Sequence, residues 1–115
     1  NQSILGSNLL TKQPEFPGGI PALIHYLSTH IRYPEAAKQQ HLEGKVVVEF
    51  VLDQTGEVTQ AKALWPDPKP AQPEYEALAA EAVRVVLQMP KWVPGQQDGH
   101  AVPCRMSLPV QFKLE

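Results

Sequence analysis

The side chains in this 115-residue chain that are capable of chemistry are few and poorly spaced for catalysis. Its four histidines, His25, His30, His41 and His100, show no metal spacing, and neither a His-Glu-x-x-His nor a Cys-x-x-Cys pattern occurs. Ser28, Ser107 and Cys104 lack the strand-to-helix elbow that activates a nucleophile. Gly18-Gly19 precedes a helical pattern but has neither a strand before it nor a phosphate-binding lysine, so it is no phosphate loop. Glu74, Glu76 and Glu81 read as the solvated face of a helix and not as an acid-base pair. The expectation is a non-enzyme with no metal and no cofactor.

What the sequence does offer is main-chain hydrogen bonding. From Val102 to Lys113 the residues alternate: Val102, Cys104, Met106, Leu108, Val110 and Phe112 form one apolar face, and Arg105, Ser107, Gln111 and Lys113 lie on the other. Pro103 and Pro109 share the odd parity. Proline has no N–H to give a ladder, so this strand belongs at a sheet edge with its even residues bonded inward. Val102, Arg105, Ser107, Pro109, Gln111 and Lys113 are the candidate residues for receiving an added peptide strand. An edge merely blunted by prolines, binding nothing, fits the same pattern.

The remaining elements must hold that strand. Ile20, Leu23, Ile24, Leu27 and Ile31 recur at helical spacing and predict an amphipathic helix over Gly19 to Ile31, with Pro21 in its first turn. Pro34 opens a shorter helix, Glu35 to His41, which Gly44 terminates. Lys45 to Asp53 is a β-branched, aromatic run that reads as a central strand. Asp53-Gln54-Thr55-Gly56 turns it into a second strand, Glu57 to Leu64. Pro66 to Pro73 holds four prolines in eight residues and reads as a stiff loop. Tyr75, Leu78, Ala79, Ala82, Val86 and Met89 mark the buried stripe of a helix from Glu74 to Gln88. Trp92, between that helix and the Pro94-Gly95 corner, reads as a core anchor. The resulting class is α+β: a three-stranded antiparallel sheet of order 2-1-3 with the helices on one face and the last strand at an edge.

Composition bounds the rest. The chain is one domain's length, and Asn1 to Gln13 reads as a linker or a short added strand ahead of residues 14–115. The start at Asn1 looks like a cut. A formal net charge of −2 without any basic run argues against nucleic acid. No apolar stretch is long enough to span a bilayer and nothing resembles a signal peptide, so an anchor is expected outside these residues. The lone Cys104, on the apolar face, reads as a small core residue. An open edge also invites strand exchange into a homodimer.

Several segments, in order, carry a resemblance: Glu15-Phe16-Pro17-Gly18-Gly19, Tyr33-Pro34-Glu35-Ala36-Ala37, Glu43-Gly44-Lys45-Val46-Val47-Val48, Asp53-Gln54-Thr55-Gly56-Glu57-Val58, Met89-Pro90-Lys91-Trp92-Val93-Pro94-Gly95 and Pro109-Val110-Gln111-Phe112. Together they resemble the TonB C-terminal domain family, in the form common in Bacteroidetes, over about Pro14 to Leu114. The resemblance marks Tyr33, Pro34, Gly44, Gly56, Trp92, Pro94 and Gly95 as structural positions. It implies a periplasmic domain of an inner-membrane-anchored protein, whose edge strand recruits the TonB box of an outer-membrane transporter and transmits inner-membrane energy for import. It also implies contact, through a missing N-terminal region, with an inner-membrane complex driven by the proton-motive force. The same domain resembles the C-terminal part of membrane antirepressors and other sensors. The alternative from another class is a small-ligand or cell-wall-fragment module using the polar sheet face around Arg105 and Lys62, recognisable by a concave pocket there.

Overall fold

The computed structural model describes residues 5–6, 9–65, 71 and 73–114. The proline-rich loop therefore lies outside the described residues except for Ala71 and Pro73. The elements run β1 (Leu5–Gly6), α1 (Gly19–His30), α2 (Glu35–Gln39), β2 (Gly44–Leu52), β3 (Val58–Leu64), α3 (Pro73–Leu87), β4 (Gln96–Gln97), β5 (His100–Ala101) and β6 (Cys104–Phe112).

The β-branched run of β2 takes the middle of the sheet, antiparallel to β3 on one side and to β6 on the other. Its even residues Val46, Val48, Phe50 and Leu52 are buried, and their partners across the ladders, Ala61 and Ala63 of β3 and Leu108 and Val110 of β6, share that face. The period-2 pattern thus sends one whole side of three strands toward the helices. α3 covers that side with Tyr75, Leu78, Ala79, Ala82, Val85 and Val86. The hairpin loop is tied by Asp53: its Oδ1 accepts from the Thr55 N–H at 2.8 Å, the Thr55 hydroxyl at 2.6 Å and the Glu57 N–H at 3.0 Å. Those donors, the Thr55 hydroxyl first, hold the Asp53 carboxyl below its ordinary range.

The sheet differs from the sequence expectation at its outer side. The order is β1-β6-β2-β3: the two-residue β1 pairs in parallel with the start of β6, Leu5 opposite Cys104 and Gly6 opposite Arg105. β6 also begins later than expected, at Cys104. Val102 and Pro103 stay outside it, because the Val102 N–H donates to the Gly95 carbonyl at 3.1 Å and Pro103 has no N–H to extend a ladder. Before it, β4 and β5 form a minimal hairpin through Asp98 and Gly99, both at positive φ, as a primed two-residue turn requires.

α1 departs from its expected orientation. Of the stripe Ile20, Leu23, Ile24, Leu27 and Ile31, the residues Ile20 and Ile24 remain 68% and 61% exposed. The helix is rolled by Tyr26, which is buried, donates its hydroxyl to the Val85 carbonyl at 2.8 Å and packs on Phe16. Leu23 and Leu27 follow Tyr26 inward, and the other shoulder of the stripe turns out.

Trp92 closes the end of the core. It is 6% exposed, makes an edge-on contact with Phe16 and a tilted contact with Phe50, and donates its backbone N–H to the Gly56 carbonyl at 2.8 Å. Gly56 has φ +90°, and a Cβ there would lie 1.8 Å from the Trp92 carbonyl oxygen. Only glycine gives both the left-handed turn and this close approach. The Trp92 Nε1–H is the one buried side-chain N or O atom among the described residues without a hydrogen-bond partner, a cost of about 1–3 kcal/mol accepted for the ring's burial.

Candidate functional site

The site begins with the pairing of β6 and β2, which runs unbroken from Gly44 opposite Phe112 to Leu52 opposite Cys104. Pro109 sits opposite Val47. Antiparallel pairs alternate between exchanging two hydrogen bonds and exchanging none, and a residue without an N–H fits only the second kind. The even residues of β6 therefore bond to β2. The N–H and C=O groups of Arg105, Ser107 and Gln111, and the C=O of Pro109, point away from β2, to the other lateral side of β6. Beyond Gly6 no strand among the described residues pairs with that side.

Arg105, Ser107, Pro109 and Gln111 accordingly lie in one line on one strand, all exposed. Val102 does not join them: it is buried and lies before the strand. Lys113 is exposed just beyond the strand's end. The structural positions surround the line without entering it. The Tyr33 hydroxyl donates to the Leu42 carbonyl and its ring meets Phe112 edge-on, holding the C-terminal end of β6 down. Pro34 precedes α2 and accepts from the Lys38 N–H. Gly44 opens β2 opposite Phe112, while Gly56 and Trp92 form the corner described above. Pro94 is half-buried, and Gly95 is buried where a Cβ would meet Leu10 at 2.7 Å and Pro14 at 3.3 Å.

Beside the edge runs an apolar groove that the sequence reading did not anticipate. Between α1 and the far end of β6, Ile24, Leu27, Ser28, Ile31, Pro109, Val110 and Gln111 line a cavity of 290 Å³. A second cavity of 230 Å³ lies between the start of α1 and the near part of β6, where Ile20, Leu23, Phe16, Trp92, Met106 and Leu108 line it. The exposed shoulder of α1 thus faces the same strand whose backbone groups are unpaired. The signal that pointed to it is Tyr26: with its polar tip and large ring it competes with the isoleucines for the core, and a buried tyrosine needs a hydrogen-bond partner that only one roll of the helix supplies.

The opposite face of the sheet carries the charges. Glu49 Oε1 lies 3.7 Å from Lys62 Nζ and 3.9 Å from Arg105 Nε, with both cations largely exposed. Pairs of this kind contribute little stability, about 0–1 kcal/mol. The cavity they share with Gln60 and Val51 is 120 Å³, the smallest of the three described. A single carboxylate already faces both cations, so an anion there meets an acid as well as two bases.

Glu81 corrects the picture of a solvated acidic face. It accepts two hydrogen bonds from Arg84, both at 2.7 Å, and one from the Arg32 N–H at 2.6 Å, while Arg84 also donates to the His30 carbonyl at 3.1 Å. The Arg84 guanidinium holds the Glu81 carboxyl below its ordinary range. This cluster clamps the end of α1 to α3 and so fixes the far wall of the groove. Cys104 is buried and its thiol is pushed up by desolvation, which leaves it in the protonated, unreactive form. Among the described residues no group of three or more His, Cys, Asp or Glu is placed to hold a metal ion, and no helix is long and apolar enough to cross a membrane.

Two comparisons bear on this architecture. Residues 29–114, which contain α2, β2, β3, α3 and the edge strand β6, match the family described as the Gram-negative bacterial TonB protein C-terminal. The chain is 31% identical over 115 residues to the protein named TonB of Vibrio cholerae serotype O1, and it spans 43% of that protein's length. A match that runs through the central hairpin, the Trp92 corner and the proline-bearing edge, in a fold built as that family's is expected to be, leads to one assignment: the chain belongs to the TonB C-terminal family.

Proposed function

We propose that this domain binds an extended peptide by strand addition along the outer side of β6, and that the peptide is the TonB box of outer-membrane transporters. The observation that carries this reading is the coincidence of two features along one strand: outward backbone groups at Ser107 and Gln111, and two apolar cavities between β6 and α1, one walled by Ile20 and the other by Ile24 and Leu27. Strand addition uses both, main-chain hydrogen bonds for affinity and side-chain pockets at alternate positions for choice of partner. Membership in the TonB C-terminal family and the likeness to the Vibrio cholerae TonB protein support the same reading. On it, the domain works in the periplasm as part of an inner-membrane-anchored protein and transmits inner-membrane energy to import, with no catalytic step of its own.

The geometry suits that task. A strand held at the edge of a sheet loads its hydrogen bonds side by side, and the sheet behind it is pinned by the full length of β2. Pro109 removes one outward donor, which limits self-pairing, and leaves the donors of Ser107 and Gln111 and the outward carbonyls for a guest. The polar face around Arg105 and Lys62 supports a ligand-binding role less well, since Glu49 already lies against both cations.

The test is an amide-resolved NMR titration with TonB-box peptides from transporters of the same genome, with scrambled peptides as controls. Saturable shifts concentrated on Ser107 and Gln111, with side-chain methyl shifts at Ile24 and Leu27, are expected. No shift at millimolar peptide overturns the proposal.

A further inference from the structure

We infer that β1 is an internal competitor for the edge of β6, so that the domain's own N-terminal strand limits how far an incoming peptide can extend. This rests on the strand-addition reading above. β1 pairs in parallel with β6 at Cys104 and Arg105, on the side opposite β2. With the even residues of β6 bonded to β2, Arg105 is the residue whose N–H and C=O face β1. Arg105 is also the residue that would continue the open line of Ser107, Pro109 and Gln111.

The consequence follows from counting donors. Pro109 has no N–H, so along β6 the outward side offers an incoming strand the donors of Ser107 and Gln111 alone while β1 is in place. Displacing β1 adds Arg105, with both its groups, and lengthens the edge in one direction. The cost of displacement is set by the tether. From Leu10 onward the N-terminal segment is stitched down: Thr11 and Lys12 donate their N–H groups to the Gln96 carbonyl at 2.9 and 3.0 Å, Glu15 exchanges hydrogen bonds with Val93, and Leu10 packs on Gly95. Gly6 is thus held within four residues of a fixed point, and its pairing is intramolecular, with an effective concentration of order millimolar. Only two residues pair, so a longer guest strand outcompetes β1, whereas a weak or short one does not. The contact therefore raises the threshold for binding without closing the site.

The experiment uses the full chain and a double variant, Leu5→Pro with Gly6→Pro. Successive residues of a strand point their N–H groups to opposite sides, so the two substitutions remove the donor toward β6 whichever residue carries it. A chain beginning at Leu9 serves as a second variant. Amide hydrogen exchange at Arg105 is expected to quicken about tenfold in both variants, while Ser107 and Gln111 do not change. Affinity for a TonB-box heptapeptide, read by the same NMR titration, is expected to rise roughly tenfold, about 1.4 kcal/mol. Unchanged exchange at Arg105 overturns the placement of β1 as an occupant of the edge. Faster exchange with equal, measurable affinity in all chains overturns the competition. Absence of binding to every chain, with Arg105 exchange responding as expected, overturns the strand-addition reading and the competition with it, leaving β1 as a plain structural strand.

Discussion

The corner where Trp92 meets Gly56 and the outer side of β6 use the same materials, backbone hydrogen bonds and large apolar side chains, and arrange them oppositely. At the corner the main-chain donors are bonded in series: the Trp92 N–H donates to the Gly56 carbonyl, the Gly56 N–H to the Asp53 carbonyl, the Asp53 N–H to the Glu57 carbonyl, and the Glu57 N–H to the Asp53 carboxylate. Its side chains are sealed among Phe16 and Phe50. Along the edge, backbone groups and the side chains of Ile20 and Ile24 are left unused. Satisfied groups hold a fold, and unsatisfied ones on a rigid support make a binding surface. The difference predicts that damage to the corner appears in stability first, and damage to the edge in binding alone.

The largest effect expected is from Trp92→Ala, a loss of about 3–5 kcal/mol in unfolding free energy as for other large aromatic truncations in cores. Urea denaturation measures it, and unchanged stability would break the comparison at its stronger half. Gly56→Ala comes next, at about 2–4 kcal/mol, because the added methyl meets the Trp92 carbonyl at 1.8 Å in a backbone conformation that alanine resists.

The acid limb of stability is the next test. Asp53 and Glu81 both titrate below their ordinary ranges, by hydrogen bonds from Thr55 and Arg84 respectively. A carboxylate depressed in the folded state contributes stability above its unfolded pKa and loses that contribution as pH falls through its folded pKa. Melting temperature should therefore drop as the pH falls through the carboxylate range and below it. Asp53→Asn or Glu81→Gln should lower it by roughly a few degrees at neutral pH and flatten the decline. A variant that melts like the parent at neutral pH yet declines as steeply would remove that carboxylate from the account.

At the edge the expected effects are smaller and confined to binding. Ser107→Pro removes one outward donor, so peptide affinity should fall by about 0.5–1.5 kcal/mol while the melting temperature holds. Ile24→Lys, at a 61% exposed position, should leave stability within about 0.5 kcal/mol and weaken the peptide by about 1 kcal/mol through the lost groove wall. Equal binding by both folded variants would erase the distinction between edge and corner.

Much of the frame is legible in the sequence. β2 and β3 declared themselves by an alternating β-branched run closed at Asp53 and Gly56, and α3 by a stripe every three or four residues, because local geometry alone sets those periods. The parity of the prolines placed the last strand at a side of the sheet, since a missing N–H is a property of the residue and not of its surroundings. β1 was not separable from a linker, for two paired residues leave no periodic trace.

What the sequence by itself determined is therefore the element order, the central hairpin, and the identity of the strand with an outward row of backbone groups. Tertiary structure decided what stands beside that row. The roll of α1 followed from Tyr26 reaching the Val85 carbonyl, fifty-nine residues away in sequence, and the clamp on its end followed from Glu81 meeting Arg32 and Arg84. Periodicity marks which residues prefer burial, but it does not say which side of a broad apolar stripe reaches the core, and on α1 Leu23 and Leu27 do while Ile20 and Ile24 do not. Packing chose Tyr26 for the interior and left Ile20 and Ile24 at the edge of β6.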